Sequence, residues 1–174
     1  IYKFFTSILV YKHNKYFLHI PVSFEVNSCD NSQVCNVVGI DRGLRQIVTT
    51  YDNKGLTQFV NGRFIKQKRN HYKHLRASLQ AKGTQSAKRR LRKLAERESR
   101  WMNDVNHCLS KTLVKQYGKH TLFVLEDLTN VTFDTVSKRK KENRYEHHSW
   151  SFYDLEQKLA YKAIQNESQV ITVS

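Results

Sequence analysis

The order of apolar and polar residues predicts a β-rich start followed by a mixed α/β region. Apolar and polar side chains alternate through residues 16–26, which is typical of a strand. Residues 7–12 are predicted as its hairpin partner across the turn at His13–Lys15. Because Pro21 has no N–H to donate, we expect one side of this strand to be an edge. Residues 27–36 show neither strand nor helix periodicity, which indicates a boundary between two modules.

A nearly continuous apolar run, residues 37–41, predicts a strand that is buried on both faces and ends at Asp41. Two further β runs follow at residues 47–51 and 56–60, and the turn sequence DNKG separates them. We therefore expect three antiparallel strands in succession.

Apolar spacings of three, four and seven then predict two helices. The first stripe comprises Phe64, Tyr72, Leu75 and Leu79, and the second comprises Leu91, Leu94, Trp101, Val105, Leu109 and Leu113. Gly83 suits a helix end in left-handed geometry, and Thr84 or Ser86 suits the N-cap of the next helix. The pattern therefore predicts a helical hairpin instead of one long rod.

A second buried strand is predicted at residues 122–125, and it also ends in an acid, Glu126. A basic loop at 138–141 precedes a third helix, whose start has the spacing of a capping box at Ser151. Residues 170–173 predict a last short strand. The predicted domain thus contains five strands and three helices.

Two acids at the ends of buried strands indicate a metal site. An ionised carboxylate in a dry sheet is costly unless it is paired, neutralised or bound to a cation. If the two strands are parallel neighbours, Asp41 and Glu126 converge at one edge and can hold Mg²⁺ or Mn²⁺, which prefer oxygen ligands. The alternative is that each acid only ends a strand at the water boundary.

The charge distribution indicates a polyanionic partner. The chain has 30 Lys and Arg against 15 Asp and Glu, and residues 53–95 contain thirteen of these cations and no acid. A cationic surface of this kind binds nucleic acid through phosphates, with strong salt dependence, although a solvated helix face is the alternative. The candidate phosphate-binding residues are Arg63, Lys66, Lys68, Arg69, Lys73, Arg76, Lys88, Arg89 and Arg90.

Length and composition narrow the class of protein. A chain of 174 residues allows one domain plus a fragment of another, and it contains no apolar run of roughly 18 residues that would predict a membrane span. Three cysteines are too few for a disulfide scaffold, and their spacing does not predict a zinc knuckle. With no secretory signal visible, we expect an intracellular protein.

Four stretches resemble the TnpB-type, OrfB-like family of transposon-encoded nucleases. They are residues 39–43 (GIDRG), 97–115 with its core WMNDVNH, 124–128 (VLEDL) and 148–152 (HSWSF). The resemblance implies an α/β fold: an RNase H-like, RuvC-type mixed five-stranded sheet with an inserted basic helical hairpin, preceded by the end of a wedge-like β-barrel module. The implied boundaries are 1–30 for the barrel tail, 31–36 for a linker and 37–174 for the nuclease domain, with the helical insertion at about 62–118.

The resemblance also implies a function. The family members are RNA-guided, metal-dependent DNA endonucleases of insertion-sequence elements, so DNA target and guide RNA are the expected partners, in the prokaryotic cytoplasm at the nucleoid. Asp41 and Glu126 match two catalytic acids that hold Mg²⁺ or Mn²⁺ for two-metal hydrolysis. The family's third acid and its zinc-binding ribbon are expected beyond Ser174, so we expect this chain alone to be inactive. The alternative is a non-catalytic or decayed nucleic-acid-binding module.

Overall fold

The computed structural model describes residues 2–12, 14–27, 29–43, 45–128 and 152–173. These residues form two small β ribbons, a five-stranded sheet and three helices. The ribbons come first in the chain. Their strands are β1 (Tyr2–Phe4), β2 (Ile8–Lys12), β3 (Lys15–His19) and β4 (Val22–Phe24).

The first ribbon pairs β1 with β4, and the second pairs β2 with β3, both antiparallel. The predicted hairpin is therefore confirmed. The single strand predicted over residues 16–26 is wrong, because the chain leaves the extended ladder at Ile20 and Pro21, where proline has no N–H to donate. The carbonyl of Pro21 instead accepts from the Phe5 N–H at 3.0 Å. The assignment of this segment to a barrel tail stays a prediction.

The main sheet has the order β7-β6-β5-β8-β9. Its strands are β5 (Asn36–Asp41), β6 (Gln46–Asp52), β7 (Thr57–Asn61), β8 (Thr121–Glu126) and β9 (Gln169–Val173). The first three strands are antiparallel to one another, whereas β8 runs parallel to both β5 and β9. This arrangement confirms the predicted RNase H-like mixed sheet.

A helical hairpin connects β7 to β8, as the sequence predicts. The α-helices in the described residues are α1 (Arg63–Lys82), α2 (Gln85–Tyr117) and α3 (Phe152–Gln165), and a short 3-10 helix covers Asn31–Gln33. Gly83 ends α1 in left-handed geometry with φ of 63°. Thr84 caps α2, since its hydroxyl oxygen accepts from the Ala87 N–H at 3.2 Å. Two local signals in the sequence therefore fix the position of the turn.

Helices α2 and α3 cover one face of the sheet. The core beneath them consists of Val38, Ile40, Ile47, Val48, Met102, Leu113, Val114, Phe123, Leu125, Leu155, Leu159 and Ala163. A smaller cluster joins α1 to α2 and consists of Tyr72, Leu79, Ala87 and Leu94. In the described parts of the chain, no helix has the length and hydropathy needed to cross a lipid bilayer.

The predicted stripe of α1 is correct only in part. Tyr72 and Leu79 are buried, but Phe64 is 66% exposed. The reason is the helical period: seven residues separate Tyr72 from Leu79 and bring them to the same side, whereas eight residues turn Phe64 by about 80° away from Tyr72. Phe64 therefore lies off the contact between α1 and α2.

Candidate functional site

The two acids predicted to form a metal site end adjacent parallel strands. Strands β5 and β8 pair in a register that runs from Asn36 opposite Thr121 to Ile40 opposite Leu125. Asp41 and Glu126 are the next residues along their strands and the last residue of each. The parallel pairing predicted from the sequence is thus confirmed, and it brings both acids to one edge of the sheet.

Both acids also lie on the same face of that sheet. Ile40 and Leu125 are buried beneath the helices, and successive strand residues point to opposite faces. Asp41 and Glu126 therefore belong to the face that α2 and α3 leave uncovered, and both are exposed. Two exposed carboxylates on one face fit a hard divalent cation, which takes oxygen ligands and keeps several waters.

The described residues contain no larger set of possible metal ligands around these two acids. They include no group of three or more His, Cys, Asp or Glu side chains placed to hold a metal ion. Asp41 and Glu126 thus form a two-carboxylate pair. The role of this pair in holding Mg²⁺ or Mn²⁺ stays a prediction.

The turn after Asp41 is shaped by its neighbouring residues. A Cβ at Gly43 would lie 2.9 Å from the backbone oxygen of Gln46, so glycine is needed for this close approach. Before it, the buried Arg42 donates to the backbone carbonyls of Glu126 and Phe152 and to the carboxylate of Glu156. The role of Arg42 could not be predicted from the sequence, because a charged residue inside a turn gives no sequence signal of burial.

The predicted phosphate-binding residues lie on the helical hairpin in three environments. Lys68 is half-buried, with its ammonium 4.6 Å from the ring centroid of Trp101. Arg69 is only 8% exposed, and Arg76 forms an ion pair with Glu98. The other six are exposed, namely Arg63, Lys66, Lys73, Lys88, Arg89 and Arg90.

These environments distinguish the buried or paired arginines from the exposed cations. A buried guanidinium, or one paired with a carboxylate, offers less charge to a phosphate than an exposed one does. Arg69 and Arg76 therefore fit a stabilising role between α1 and α2 better than the predicted contact with nucleic acid. Arg92 and Lys93, which follow the predicted run, are also exposed and extend the cationic surface along α2.

A cationic cleft of about 550 Å³ opens at the start of α1. Arg45, Arg63 and Lys66 line it, together with Gln46, Asn61 and Gly62. The first turn of α1 contains no acid, so the partial positive charge of the helix start adds to these cations. Arg45 was missed from the sequence because it stands apart from the basic run.

A polar network joins α2 to α3 beside the core. The carboxylate of Asp154 accepts from the amide of the fully buried Asn106 at 2.8 Å and from the ammonium of Lys158. Burial raises the pKa of Asp154, but the hydrogen bonds from Asn106 and Lys158 outweigh it and hold the pKa below its ordinary value. Burial and the nearby Lys158 lower the pKa of Lys162, whose ammonium donates to the Ser110 hydroxyl at 2.7 Å.

Parts of two sequence predictions lie outside the described residues. They are the basic loop at 138–141 and the capping residue Ser151. Of the resembling stretch at 148–152, only Phe152 is described, as the first residue of α3. The three other resembling stretches form the end of β5, the second half of α2 and the end of β8.

Comparison with known proteins supports the fold and the family. No curated protein sequence matches the chain. A similar solved structure is titled "Cryo-EM structure of the Cas12f1-sgRNA-target DNA complex", with a TM-score of 0.58 and 12% sequence identity. The match covers 95% of this chain but 41% of that one, so this chain spans about two fifths of its length. At this identity, the likeness shows a shared fold.

The family is shown by the sequence itself. The profile of the OrfB_IS605 family, described as "Probable transposase", matches residues 19–132. That range covers about two thirds of the chain and contains both acids and the whole helical hairpin. The chain therefore belongs to the OrfB_IS605 family.

Proposed function

We propose that this chain is the central part of an RNA-guided, metal-dependent DNA endonuclease of an insertion-sequence element. The observation that carries the proposal is the pair formed by Asp41 and Glu126, on one face at one end of adjacent parallel strands. The solved structure with the shared fold contains a guide RNA and a target DNA, and we extend both partners to this protein.

Asp41 and Glu126 are the residues that would hold the metal. Bound Mg²⁺ or Mn²⁺ lowers the pKa of a coordinated water and stabilises the leaving oxygen of a phosphodiester. The carboxylates provide negative oxygen ligands on an open sheet face, where a DNA strand can approach. Two carboxylates also repel each other when no cation lies between them, so their placement on one face favours binding of a divalent ion.

The hairpin and the cleft supply the positive charge that a nucleic acid needs. Exposed cations on α1 and α2 hold phosphates without reading the bases. The cleft at Arg45 and Arg63 lies next to the turn that connects β5 to β6, on the same edge of the sheet as Asp41. A nucleic acid held in that cleft would therefore be bound at the same end of the sheet as the two acids.

The decisive experiment uses the full protein with its co-expressed RNA and a matching DNA duplex in Mg²⁺. We expect Asp41→Asn and Glu126→Gln each to abolish cleavage but to change DNA affinity by no more than about twofold, as for other surface substitutions. The matched control is Asp104→Asn, which removes an exposed acid from α2 and should cleave normally.

Two results would contradict the proposal. Undiminished cleavage by Asp41→Asn would remove the metal assignment. Tight nucleic-acid binding by the wild-type protein without any cleavage would support the alternative, a non-catalytic binding module.

A further inference from the structure

Arg42 is a buried cation that connects the two ends of the candidate metal site. Its side chain is 1% exposed, and it directly follows Asp41 in the chain. One guanidinium nitrogen donates to the backbone carbonyl of Glu126. The other donates to the Glu156 carboxylate at 2.8 Å and to the Phe152 carbonyl at 3.3 Å. Arg42 therefore contacts the other acid-bearing residue itself, through its backbone.

These contacts begin where the pairing of the strands ends. The register between β5 and β8 stops at Ile40 and Leu125, one residue before the acids. Beyond that point, the hydrogen bond from Arg42 to the Glu126 carbonyl joins the two strand ends. The N-terminal end of α3 holds the same guanidinium through Glu156 and Phe152. Arg42 thus ties three elements together at the level of the carboxylates.

The geometry requires an arginine specifically. A guanidinium is planar and can donate in several fixed directions at once, whereas an ammonium is a point charge on a flexible stem. A buried charge also needs a counterion, which Glu156 provides here. Lysine would keep the charge, but it would not span the Glu126 carbonyl and the Glu156 carboxylate in the same rigid way.

We propose that Arg42 is a positioning residue that sets the distance between the Asp41 and Glu126 carboxylates, so that one divalent ion can contact both. The inference rests on the proposed function for its metal. Two carboxylates without a cation repel each other, and two strand ends without a cross-connection are free to separate. Arg42 opposes that separation from the backbone side and leaves both carboxylates available to the ion.

Two measurements on the full protein test this inference. The first is Mn²⁺ binding followed by electron paramagnetic resonance, counting only the signal that Asp41→Asn removes. The second needs no metal: Asp41→Cys and Glu126→Cys are combined at a fixed glutathione ratio, and mass spectrometry quantifies the disulfide between them. Each is made with Arg42→Lys, Arg42→Gln and the control Arg76→Gln, which removes another paired arginine, at the contact between α1 and α2.

We expect both Arg42 variants to weaken Mn²⁺ binding by about tenfold or more, as substitutions behind metal ligands do. We also expect them to lower the yield of the disulfide. Arg76→Gln should lower the melting temperature and leave both measurements unchanged. A folded Arg42→Gln protein with wild-type Mn²⁺ affinity and wild-type disulfide yield would overturn the inference.

A milder variant keeps the test valid if Arg42→Gln does not fold. Glu156→Gln removes the counterion but keeps the guanidinium and both carbonyl acceptors. We therefore expect smaller losses of Mn²⁺ affinity and of disulfide yield than in the Arg42 variants. Their absence would overturn the inference. If the wild-type protein shows no Asp41-dependent Mn²⁺ signal, but the disulfide yield still depends on Arg42, the proposed metal function fails and the positioning role stands.

Discussion

The exposed cations of α2 should determine how strongly nucleic-acid binding to the hairpin depends on salt concentration. Arg89, Arg92 and Lys93 are exposed, and spacings of three and four residues place them on one side of the helix. One phosphate backbone can therefore contact all three. We expect the triple variant Arg89→Gln, Arg92→Gln, Lys93→Gln to bind duplex DNA with a reduced salt slope.

The expected size follows from counterion release. Each phosphate contact on B-form DNA contributes about 0.9 to the slope of log affinity against log salt, so three contacts contribute about 2.7. Raising the salt concentration from about 50 to 200 mM lowers the affinity of both proteins. The fold-loss is then about forty times larger for the wild-type protein than for the variant. Fluorescence anisotropy with a labelled duplex of unrelated sequence measures both slopes.

A control of equal charge makes the test specific. Lys111, Lys115 and Lys119 are exposed near the far end of α2, and their replacement by glutamine removes the same three charges. Since α2 is 33 residues long, this end lies roughly 30 Å or more from the tested face. If the control variant lost as much slope as the test variant, only the net charge would matter. An unchanged slope in the test variant would refute the assignment of this face.

Three further predictions concern the fold. Phe123→Ala should lower the free energy of unfolding by about 3–5 kcal/mol in urea titration, because the ring is fully buried at the centre of the core. Thr84→Ala should cost about 1 kcal/mol by the same measurement, since it removes the cap of α2. The pKa of Asp154 is held below its ordinary value of 3.8 by Asn106 and Lys158, against the effect of burial. Its stabilisation should therefore be complete above pH 3.8 and decline as the pH falls through the lowered pKa, so wild type and Asp154→Asn should converge in stability in acid.

Each of these predictions has a matched control. Phe59→Ala removes a phenylalanine that is 64% exposed and should cost much less than Phe123→Ala. Ser78→Ala removes an exposed serine hydroxyl on α1, and its effect should be within about 0.5 kcal/mol. Asp104→Asn removes an exposed acid from α2 and serves as the charge-matched control for Asp154→Asn. Equal losses in test and control variants would contradict the corresponding reasoning.

Most of the central sheet was predictable because its signals are local. Apolar runs that end in Asp41 and Glu126 indicated buried strands, and Gly83 and Thr84 marked the turn between the helices. Strand bounds from the sequence differ from the structure by one residue at either end, as for β5, which begins at Asn36 and not at residue 37. The N-terminal ribbons were predicted less well, since Pro21 breaks the ladder that the alternating pattern suggested.

The environment of individual cations was not predictable. Along α1, Arg69 and Lys73 look alike in the sequence and lie one turn apart on nearly the same side of the helix, yet Arg69 is buried and Lys73 is exposed. Arg76 acquires its partner Glu98 only because the hairpin folds back on itself, and 22 residues separate the two in the chain. Whether a charged side chain is buried depends on contacts between segments that are far apart in the sequence. The composition of the chain does not show those contacts.

Asp41 and Arg42 are neighbours in the chain, but they lie in opposite environments. Asp41 ends β5 on the open face and is exposed to solvent. The next residue, Arg42, is buried and reaches the end of β8 and the start of α3. Arg42 lies in the turn after β5, so its burial comes from its own contacts with β8 and α3 and not from the alternation along the strand. Asp41 could be identified from the sequence as a candidate site residue. The contacts of Arg42 can be seen only in the folded structure.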